Sequence, residues 1–561
     1  MPPPIVSALP PSPDLVNAHH GVSSANITLG PDNATPTKFH NPWPSYRFAT
    51  LSDAWLAYQK GAAIATPQLP TPTPSRPGSR AASLHAPSIR RAAGGFRDNP
   101  DPEAGTGIGN GRPERPLSQR RKSWLTPDDP DDAADEDADE DADEYDDETA
   151  AMDDEPEFPL QHPYLNDVKG YVRPAFSRIM TQDDTDDWRE PPIQVQRPQW
   201  PRSGERGAVT WLGHAGALVQ IPWNDSASTS STAPLCGVLF DPIFSYRCSP
   251  SQLVGPARHL DPPCSVDELP PIHLCLISHD HYDHLDYNTI LDLWAFHAAT
   301  VHFVVPIGLG NWFRTSGIPD SRITELDWWH EALVTFPSVN RTPPVNEPLS
   351  TYPPETTPTV DPTAALTLKV AFTPAQHRSG RGIFDHMCSL WGSWCVGVVG
   401  PGREADALRP GMLGWTDFKV FFGGDTGYRY ATAPDNDATA VCPAFQEIAQ
   451  KYSPFSLAFL PLSTGSSLPF LRSLLSLSLD QYTLTSSLHC SPADSLAIHA
   501  TVGAQRSVGI HWGTFCDAAE ARATRVEFGR ARREHGVSAD WDEVGGKGSF
   551  VVADIGMVME L

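Results

Sequence analysis

No uninterrupted apolar run in this 561-residue chain reaches the roughly 18 residues needed to span a bilayer, so no transmembrane helix is expected. A positively charged leader with an apolar core is missing too. Met1-Pro2-Pro3-Pro4 opens a proline-rich stretch whose first basic residue is Lys38, so no secretory signal is expected, and a mitochondrial import signal would have to be an unusual one. The nine cysteines are scattered, odd in number and form no C-x-x-C pair. That excludes a disulfide framework and points to a reducing, intracellular setting, either cytoplasmic or peripheral on an internal membrane. Positive charge is scarce as well. The net charge is −27, and residues 128–157 hold 19 acidic side chains with no Lys or Arg; setting these aside leaves −8 for the rest. A mildly acidic remainder offers no electrostatic footprint for nucleic acid, which is not expected as a partner.

What is abundant is proline, with 58 residues, and the mean hydropathy is −0.33. Together these predict long unpacked segments beside a globular part. Residues 1–37, rich in Pro, Ser and Asn, read as a disordered tail. Residues 38–62 form a candidate arm: Phe39-His40-Asn41-Pro42-Trp43-Pro44-Ser45-Tyr46 brackets aromatics with prolines, and a short helix is expected over 51–58. Two readings stand for it, an arm packed on the folded domain or a tail with stray aromatics. Residues 63–193 read as a disordered linker, with ten Arg or Lys between Arg76 and Lys122 followed by the acidic run. Such blocks are usually solvated and self-attracting; contact of the basic block with anionic lipid is the alternative. Residues 194–561 form the expected catalytic domain.

That domain is organised around Ser278-His279-Asp280-His281-Tyr282-Asp283-His284-Leu285-Asp286. The apolar run Ile272-His273-Leu274-Cys275-Leu276-Ile277 predicts a buried strand before it, and the apolar spacing over 288–294 suits a helix after it. His279, His281, Asp283 and His284 therefore lie on a strand-to-helix loop, where a rigid scaffold commonly carries functional groups. Four such side chains in six residues cannot all converge on one tetrahedral ion. Two alternating histidines can share one metal while the Asp-His pair turns to a neighbouring one. Imidazole with carboxylate suits zinc first, then manganese or iron.

Three further strand ends supply candidate ligands. Ala371-Phe372-Thr373-Pro374-Ala375-Gln376-His377 places a histidine after a short strand. Val420-Phe421-Phe422-Gly423-Gly424-Asp425 ends an apolar strand in a glycine-flanked aspartate, and Val508-Gly509-Ile510-His511 ends another in a histidine. Upstream, residues 208–221 read as a hairpin turning at Gly213 and Gly216; His214 could lie near the metals, but its context favours a structural histidine of that turn. Residues 338–362 read as a Pro/Thr-rich surface insertion.

The H-x-H-x-D-H spacing resembles the signature of the metallo-β-lactamase superfamily, which implies an α/β fold, a four-layer αβ/βα sandwich with metals at the sheet edges. The resemblance is closest to the N-acylphosphatidylethanolamine-hydrolysing phospholipase D family. It rests on Trp211-Leu212-Gly213-His214-Ala215, Asp241-Pro242-Ile243-Phe244-Ser245, residues 277–287, Glu325-Leu326-Asp327-Trp328-Trp329 and Leu390-Trp391-Gly392-Ser393-Trp394. Gly424-Asp425-Thr426-Gly427-Tyr428, Ile510-His511-Trp512-Gly513-Thr514-Phe515 and the upstream Asn41-Pro42-Trp43-Pro44 belong to it too. It implies one zinc held by His279, His281 and His377, a second by Asp283, His284 and His511, and Asp425 bridging them, with Asp283 and Asp425 as the catalytic carboxylates. Tyr282 and His489 match positions that contact the phospholipid, although Leu488 stands where the family tends to have glutamine.

The reaction so implied is hydrolysis of N-acylphosphatidylethanolamine to N-acylethanolamine and phosphatidic acid. Two ions about 3.5–4 Å apart can activate a water and clamp a phosphoryl group for in-line attack. A membrane phospholipid is the expected partner, with peripheral membrane contact; a homodimer is left open. The apolar residues 468–479, just before His489, are either an interfacial anchor or a buried helix. Another hydrolase on the same scaffold, acting on a lactone or soluble ester, is the nearest rival, and a non-catalytic metal-binding scaffold is the more distant one.

Overall fold

In the computed structural model of the chain, residues 3–9, 28–29, 36–65, 192–201, 206–222, 235–336, 366–382, 384–400, 403–411, 415–463, 480–543 and 545–561 are described. Nearly all of the expected linker, the 338–362 insertion and residues 468–479 lie outside them.

Two sheets form the frame. The first has seven strands in the order β17-β4-β5-β6-β7-β8-β9: β4 (Ala208–Gly213), β5 (Gly216–Pro222), β6 (Leu235–Phe240), β7 (Ile272–Leu276), β8 (His302–Pro306), β9 (Ile323–Leu326) and β17 (Val558–Glu560). The second has eight, in the order β1-β10-β11-β12-β13-β14-β15-β16. These are β1 (Ile5–Ala8), β10 (Glu331–Phe336), β11 (Leu366–Thr373), β12 (Ser393–Val399), β13 (Trp415–Phe422), β14 (Phe455–Pro461), β15 (Ala504–Ile510) and β16 (Ser549–Val551). A separate pair joins β2 (Thr28–Leu29) to β3 (Pro36–Lys38).

Strand alternation decides which side chains go where. Val219, Val238, Phe240, Leu274 and Leu276 enter the core shared with the second sheet, where Phe240 stacks on Phe422 at 4.7 Å. Their neighbours Leu218, Leu239, Cys275 and Ile277 point the other way and pack with Ile290 and Leu293 of α2 (Tyr287–His297) and Phe313 of α3 (Gly310–Thr315). The second sheet is covered by α5 (Ala444–Tyr452), α7 (Pro492–Val502) and α8 (Ala518–His535), which bury Ile448, Leu496 and Phe528. The small helices α4 (Glu404–Ala407) and α6 (Gln481–Thr485) complete the set. Helix, sheet, sheet, helix is the four-layer αβ/βα sandwich expected.

The directions of the strands place the site. β6 through β9 run parallel, as do β13 through β16, and β11 runs the same way as β13 through two antiparallel steps. The β4–β5 turn meets the end of β6, since Ala217 pairs with Phe240. The ends of β6, β7, β11, β13 and β15 therefore open on one rim, the usual ligand edge of parallel strands.

The structure adds detail to three sequence expectations. Composition places residues 1–37 outside the fold, but Ile5–Ala8 adds an antiparallel edge strand to β10, with Val6 opposite Val334. A run this short between prolines shows no usable periodicity; its partner some 330 residues away makes it a strand. The domain is described from Pro192, close to the expected start at 194: Ile193 is buried, the Gln194 carbonyl accepts from Ile555 N–H at 3.0 Å and the Gln194 N–H donates to Asp554 Oδ1 at 2.9 Å. The helix expected over 51–58 is α1 (Leu51–Ala65).

The arm lies against the domain. Phe39 is buried and its N–H donates to Met387 O at 2.8 Å, while Trp43 stacks on Trp328 at 5.5 Å. The Asn41 side-chain amide donates to the backbone oxygen of His377, and the Ser45 hydroxyl donates to Gln376 Oε1. Further on, Asp480 N–H donates to Ala57 O at 3.0 Å, and Lys60 reaches Thr483 at 2.9 Å, so α1 rests on α6.

Candidate metal centre

Each predicted ligand arrives from a strand end on that rim. His279, His281, Asp283 and His284 follow β7, His377 follows β11, Asp425 follows β13 and His511 follows β15. Ligand-capable atoms of His279, His281 and His377 lie within 4.8 Å of one another, and so do those of Asp283, His284 and His511. Asp425 stands between the sets. It groups with His279 and His284, and its Oδ2 is 3.3 Å from His377 Nε2 and 3.5 Å from His511 Nε2. All seven residues expected as ligands thus meet at one place.

The hydrogen bonds show which atoms are left for a metal. His284 Nδ1 bonds Asp241 Oδ2 at 2.7 Å, His279 Nδ1 meets Ser278 Oγ at 2.9 Å, and His511 Nδ1 bonds Ser463 O at 3.2 Å. The opposite nitrogens, Nε2 of His279, His284 and His511, are buried without a hydrogen-bond partner, as is Asp425 Oδ1. Orphaned buried polar atoms are costly and rare, so each calls for a reason. Here the reason is shared: the outer nitrogen of each ring is tied to the protein, fixing its orientation, and the inner lone pair faces the others. His377 Nδ1 is tied to Leu488 O at 3.0 Å in the same way. Three imidazoles and a carboxylate presenting free donors toward one point fit divalent metal.

Electrostatics agree. Burial pushes the His279 and His377 imidazoles well below the usual histidine range and His511 down to about 3, so all three are neutral, as ligands must be. Burial works against charge on Asp283 and Asp425 too, yet the surrounding histidines hold both carboxyls well below the usual carboxylate range. His284 is the exception. Burial opposes its cation, but the Asp241 hydrogen bond and the nearby Asp283 carboxylate push it up to about 9.

Two further histidines join the centre. His214, by its sequence context a structural member of the hairpin turn, sits in the centre, its Nε2 3.0 Å from Asp283 Oδ2 and its ring 4.3 Å from that of His511. A histidine beside two glycines in a turn has a sufficient local explanation, and this hides its place in the site. His489 is the expected phospholipid contact. Its Nε2 lies 3.2 Å from Asp425 Oδ2, and it groups with His377 and Asp425 as a metal-capable set. Tyr282 stands at the edge, packed against Ile243, Cys248 and Phe515, with the Arg381 guanidinium 4.5 Å above its ring.

Nothing in the sequence assigns Asp241 a role, although it opens the Asp-Pro-Ile-Phe-Ser motif. It is fully buried at the end of β6, accepts from Ser278 N–H at 2.7 Å and from the Ser278 hydroxyl, and anchors His284. His214, Asp241 and His511 have φ of 48°, 38° and 60°, a left-handed region that non-glycine residues seldom adopt. Three of the five such positions among the described residues cluster here, where strain is commonly retained for function.

Comparison with known proteins agrees with this geometry. Residues 237–512 match the β-lactamase superfamily domain. An uncharacterised protein of Mycobacterium tuberculosis is 31% identical over 328 residues, covering 58% of this chain and 63% of that protein. The N-acyl-phosphatidylethanolamine-hydrolyzing phospholipase D 1 of Caenorhabditis elegans is 28% identical over 313 residues, 55% of this chain and 64% of its own length. Its mitochondrial counterpart in Saccharomyces cerevisiae is 26% identical over 279 residues, 50% and 44% respectively. The chain therefore spans somewhat less than two thirds of the length of the mycobacterial and worm proteins and less than half of the yeast one. No helix among the described residues is long and apolar enough to cross a membrane. With this fold and a His/Asp centre suited to two ions, the chain carries a β-lactamase superfamily domain over residues 237–512 and is similar in sequence to the N-acylphosphatidylethanolamine-hydrolysing phospholipases D of worm and yeast.

Proposed function

We propose that this protein is a zinc-dependent phosphodiesterase of the phospholipase D type, hydrolysing N-acylphosphatidylethanolamine to N-acylethanolamine and phosphatidic acid. The observation that carries the reading is the convergence of seven side chains from four strand ends into two metal-capable sets joined by Asp425. A pair of zinc ions in such a set supplies an activated water near neutral pH and positive charge for a phosphoryl transition state. The protein's own part is to hold those donors rigid. His279, His281 and His377 would take one ion, Asp283, His284 and His511 the other, with Asp425 between. In this reading His489, whose buried Nδ1 has no hydrogen-bond partner and whose side chain is 14% exposed, would meet a phosphoryl oxygen. Water adds to phosphorus, the bond to the ethanolamine oxygen breaks, and that oxygen leaves with a proton.

A lipid substrate calls for a surface that meets a bilayer, and the arm offers one. Phe48, Leu51, Trp55 and Tyr58 are exposed, Leu51 at 92%, and fall three or four residues apart, with Trp55 stacked on Tyr58 at 5.7 Å. An apolar face of this kind on a surface helix marks an interaction site. It is carried by the helix resting on α6, which leads into the His489 segment.

The test is metal analysis of purified protein coupled to product assay on vesicles of N-acylated or plain phosphatidylethanolamine. Two zinc ions per chain and N-acylethanolamine release that Asp425→Asn abolishes are expected. Turnover of a soluble lactone or ester without vesicles, and none of the lipid, would move the assignment to another hydrolase of this fold.

A further inference from the structure

We propose that His214 is a positioning residue for Asp283, donating an Nε2–H hydrogen bond that fixes the carboxylate as a ligand of the second ion. The inference rests on the two-ion reading of the centre but not on the identity of the substrate.

The contact itself is 3.0 Å, from His214 Nε2 to Asp283 Oδ2. What sets His214 apart is how firmly it is held. Its backbone N–H donates to Thr514 Oγ1 at 2.6 Å, and its carbonyl accepts from both Trp211 Nε1 and His511 N–H, each at 2.8 Å. The ring lies 4.3 Å from that of His511 and meets Phe515 edge-on at 5.0 Å. It is almost wholly buried and held at φ 48°, an unfavoured conformation for histidine. The surrounding structure thus determines the position of this ring, and the ring in turn restrains the carboxylate.

A pattern across the centre supports the same role. Every ligand ring whose outer nitrogen is tied down has a distinct anchor: Ser278 for His279, Asp241 for His284, Leu488 for His377 and Ser463 for His511. Asp283 is a carboxylate, so its anchor must be a donor, and His214 supplies one. The alternative is that His214 itself ligates the ion, since its nitrogen falls in the same metal-capable set. Two features argue against that. The two rings assigned to the second ion, His284 and His511, have inner nitrogens without hydrogen-bond partners, whereas His214 Nε2 has one. Asp283, His284, His511 and the bridging Asp425 already offer that ion four protein donors, and a fifth from His214 would take the position that a hydrolytic site keeps open for water.

Two amide substitutions separate the readings. The Gln side-chain nitrogen reaches roughly where histidine Nε2 lies, and the Asn nitrogen only where Nδ1 lies. For purified full-length protein, stepwise zinc affinities are measured by competition with a chromogenic chelator, alongside thermal melting of the metal-free form. In His214→Asn the weaker-bound ion is expected to lose about 10–100-fold in affinity while the tighter one is unchanged, as for loss of an outer-sphere partner. His214→Gln is expected to recover most of that loss. Adding His214→Asn to Asp283→Asn should cost no further affinity beyond that of Asp283→Asn alone. A role in backbone geometry alone predicts the reverse order, because Asn tolerates positive φ better than Gln. Equal affinities in both variants, or Asn outperforming Gln, would overturn the proposal. Should the wild-type protein bind fewer than two ions, the two-ion reading falls instead, so the two failures are distinguishable.

Discussion

Replacing Asp241 with asparagine separates two opposed effects of one buried carboxylate. Asp241 Oδ2 holds His284 Nδ1 at 2.7 Å and keeps the ring protonated up to about pH 9 in the metal-free protein, against the cost of burial. An ion binding at His284 must displace that proton, a penalty that grows as the pH falls below about 9. Once the ion is bound, the same hydrogen bond orients the imidazole and raises its basicity, a contribution of about 10–100-fold in affinity. In Asp241→Asn the proton penalty disappears along with the orienting bond. The shape remains, because Asn can still accept from Ser278 N–H, now at 2.7 Å from Oδ1. The variant's zinc affinity should therefore sit near the wild-type value at about pH 7 and fall behind by up to about 100-fold at about pH 9, as the wild type gains affinity and the variant does not. The assay is chelator competition across that range with circular dichroism as a check on folding. Parallel pH slopes in the two proteins would refute the reasoning, since the slope belongs to the His284 proton.

Three further outcomes are expected. His302, His273 and His511 are held by burial near 3, 4 and 3, so below pH 6.5 the unfolded chain takes up protons that the folded chain refuses. Metal-free protein should accordingly lose about 1.4 kcal/mol per histidine per pH unit as pH falls from 6.5 toward 4, read from urea midpoints, and His302→Gln should make the slope shallower. Asn41→Ala removes the donor to the His377 backbone and is expected to cost about 1 kcal/mol and weaken the ion that His377 would hold; an unchanged zinc titration would show that the arm does not influence the centre. Leu51→Ser with Trp55→Ser should lower vesicle binding several-fold with metal content intact, and undiminished sedimentation with vesicles would remove the arm as the membrane contact.

The ligands of the centre are legible in the sequence because metal chemistry restricts residue type and because four of them fall within six residues. The strand-end positions of His377, Asp425 and His511 become meaningful only in that company. His214 and Asp241 are not legible in the same way. A turn histidine between glycines and an Asp-Pro at a strand end each have an adequate local explanation, and their roles depend on Asp283 and His284 arriving from β7. Apolar runs and turn signals mark individual strands, and the two-sheet frame is what the family resemblance implies. The β1 edge strand does not, because its only organising partner, β10, lies far along the chain. Burial of Lys369 against Glu331 at 2.8 Å likewise has no sequence signature, since it takes two adjacent strands to create the niche.

The docked N-terminal arm carries a practical lesson for anyone trimming this protein. Limits drawn around residues 237–512, or even around everything from Pro192 onward, would discard the side chains that brace the His377 turn from outside. The working unit is discontinuous along the polypeptide, and a truncated version that purifies well but binds zinc poorly would be showing the loss of a brace rather than a defect in the catalytic sequence.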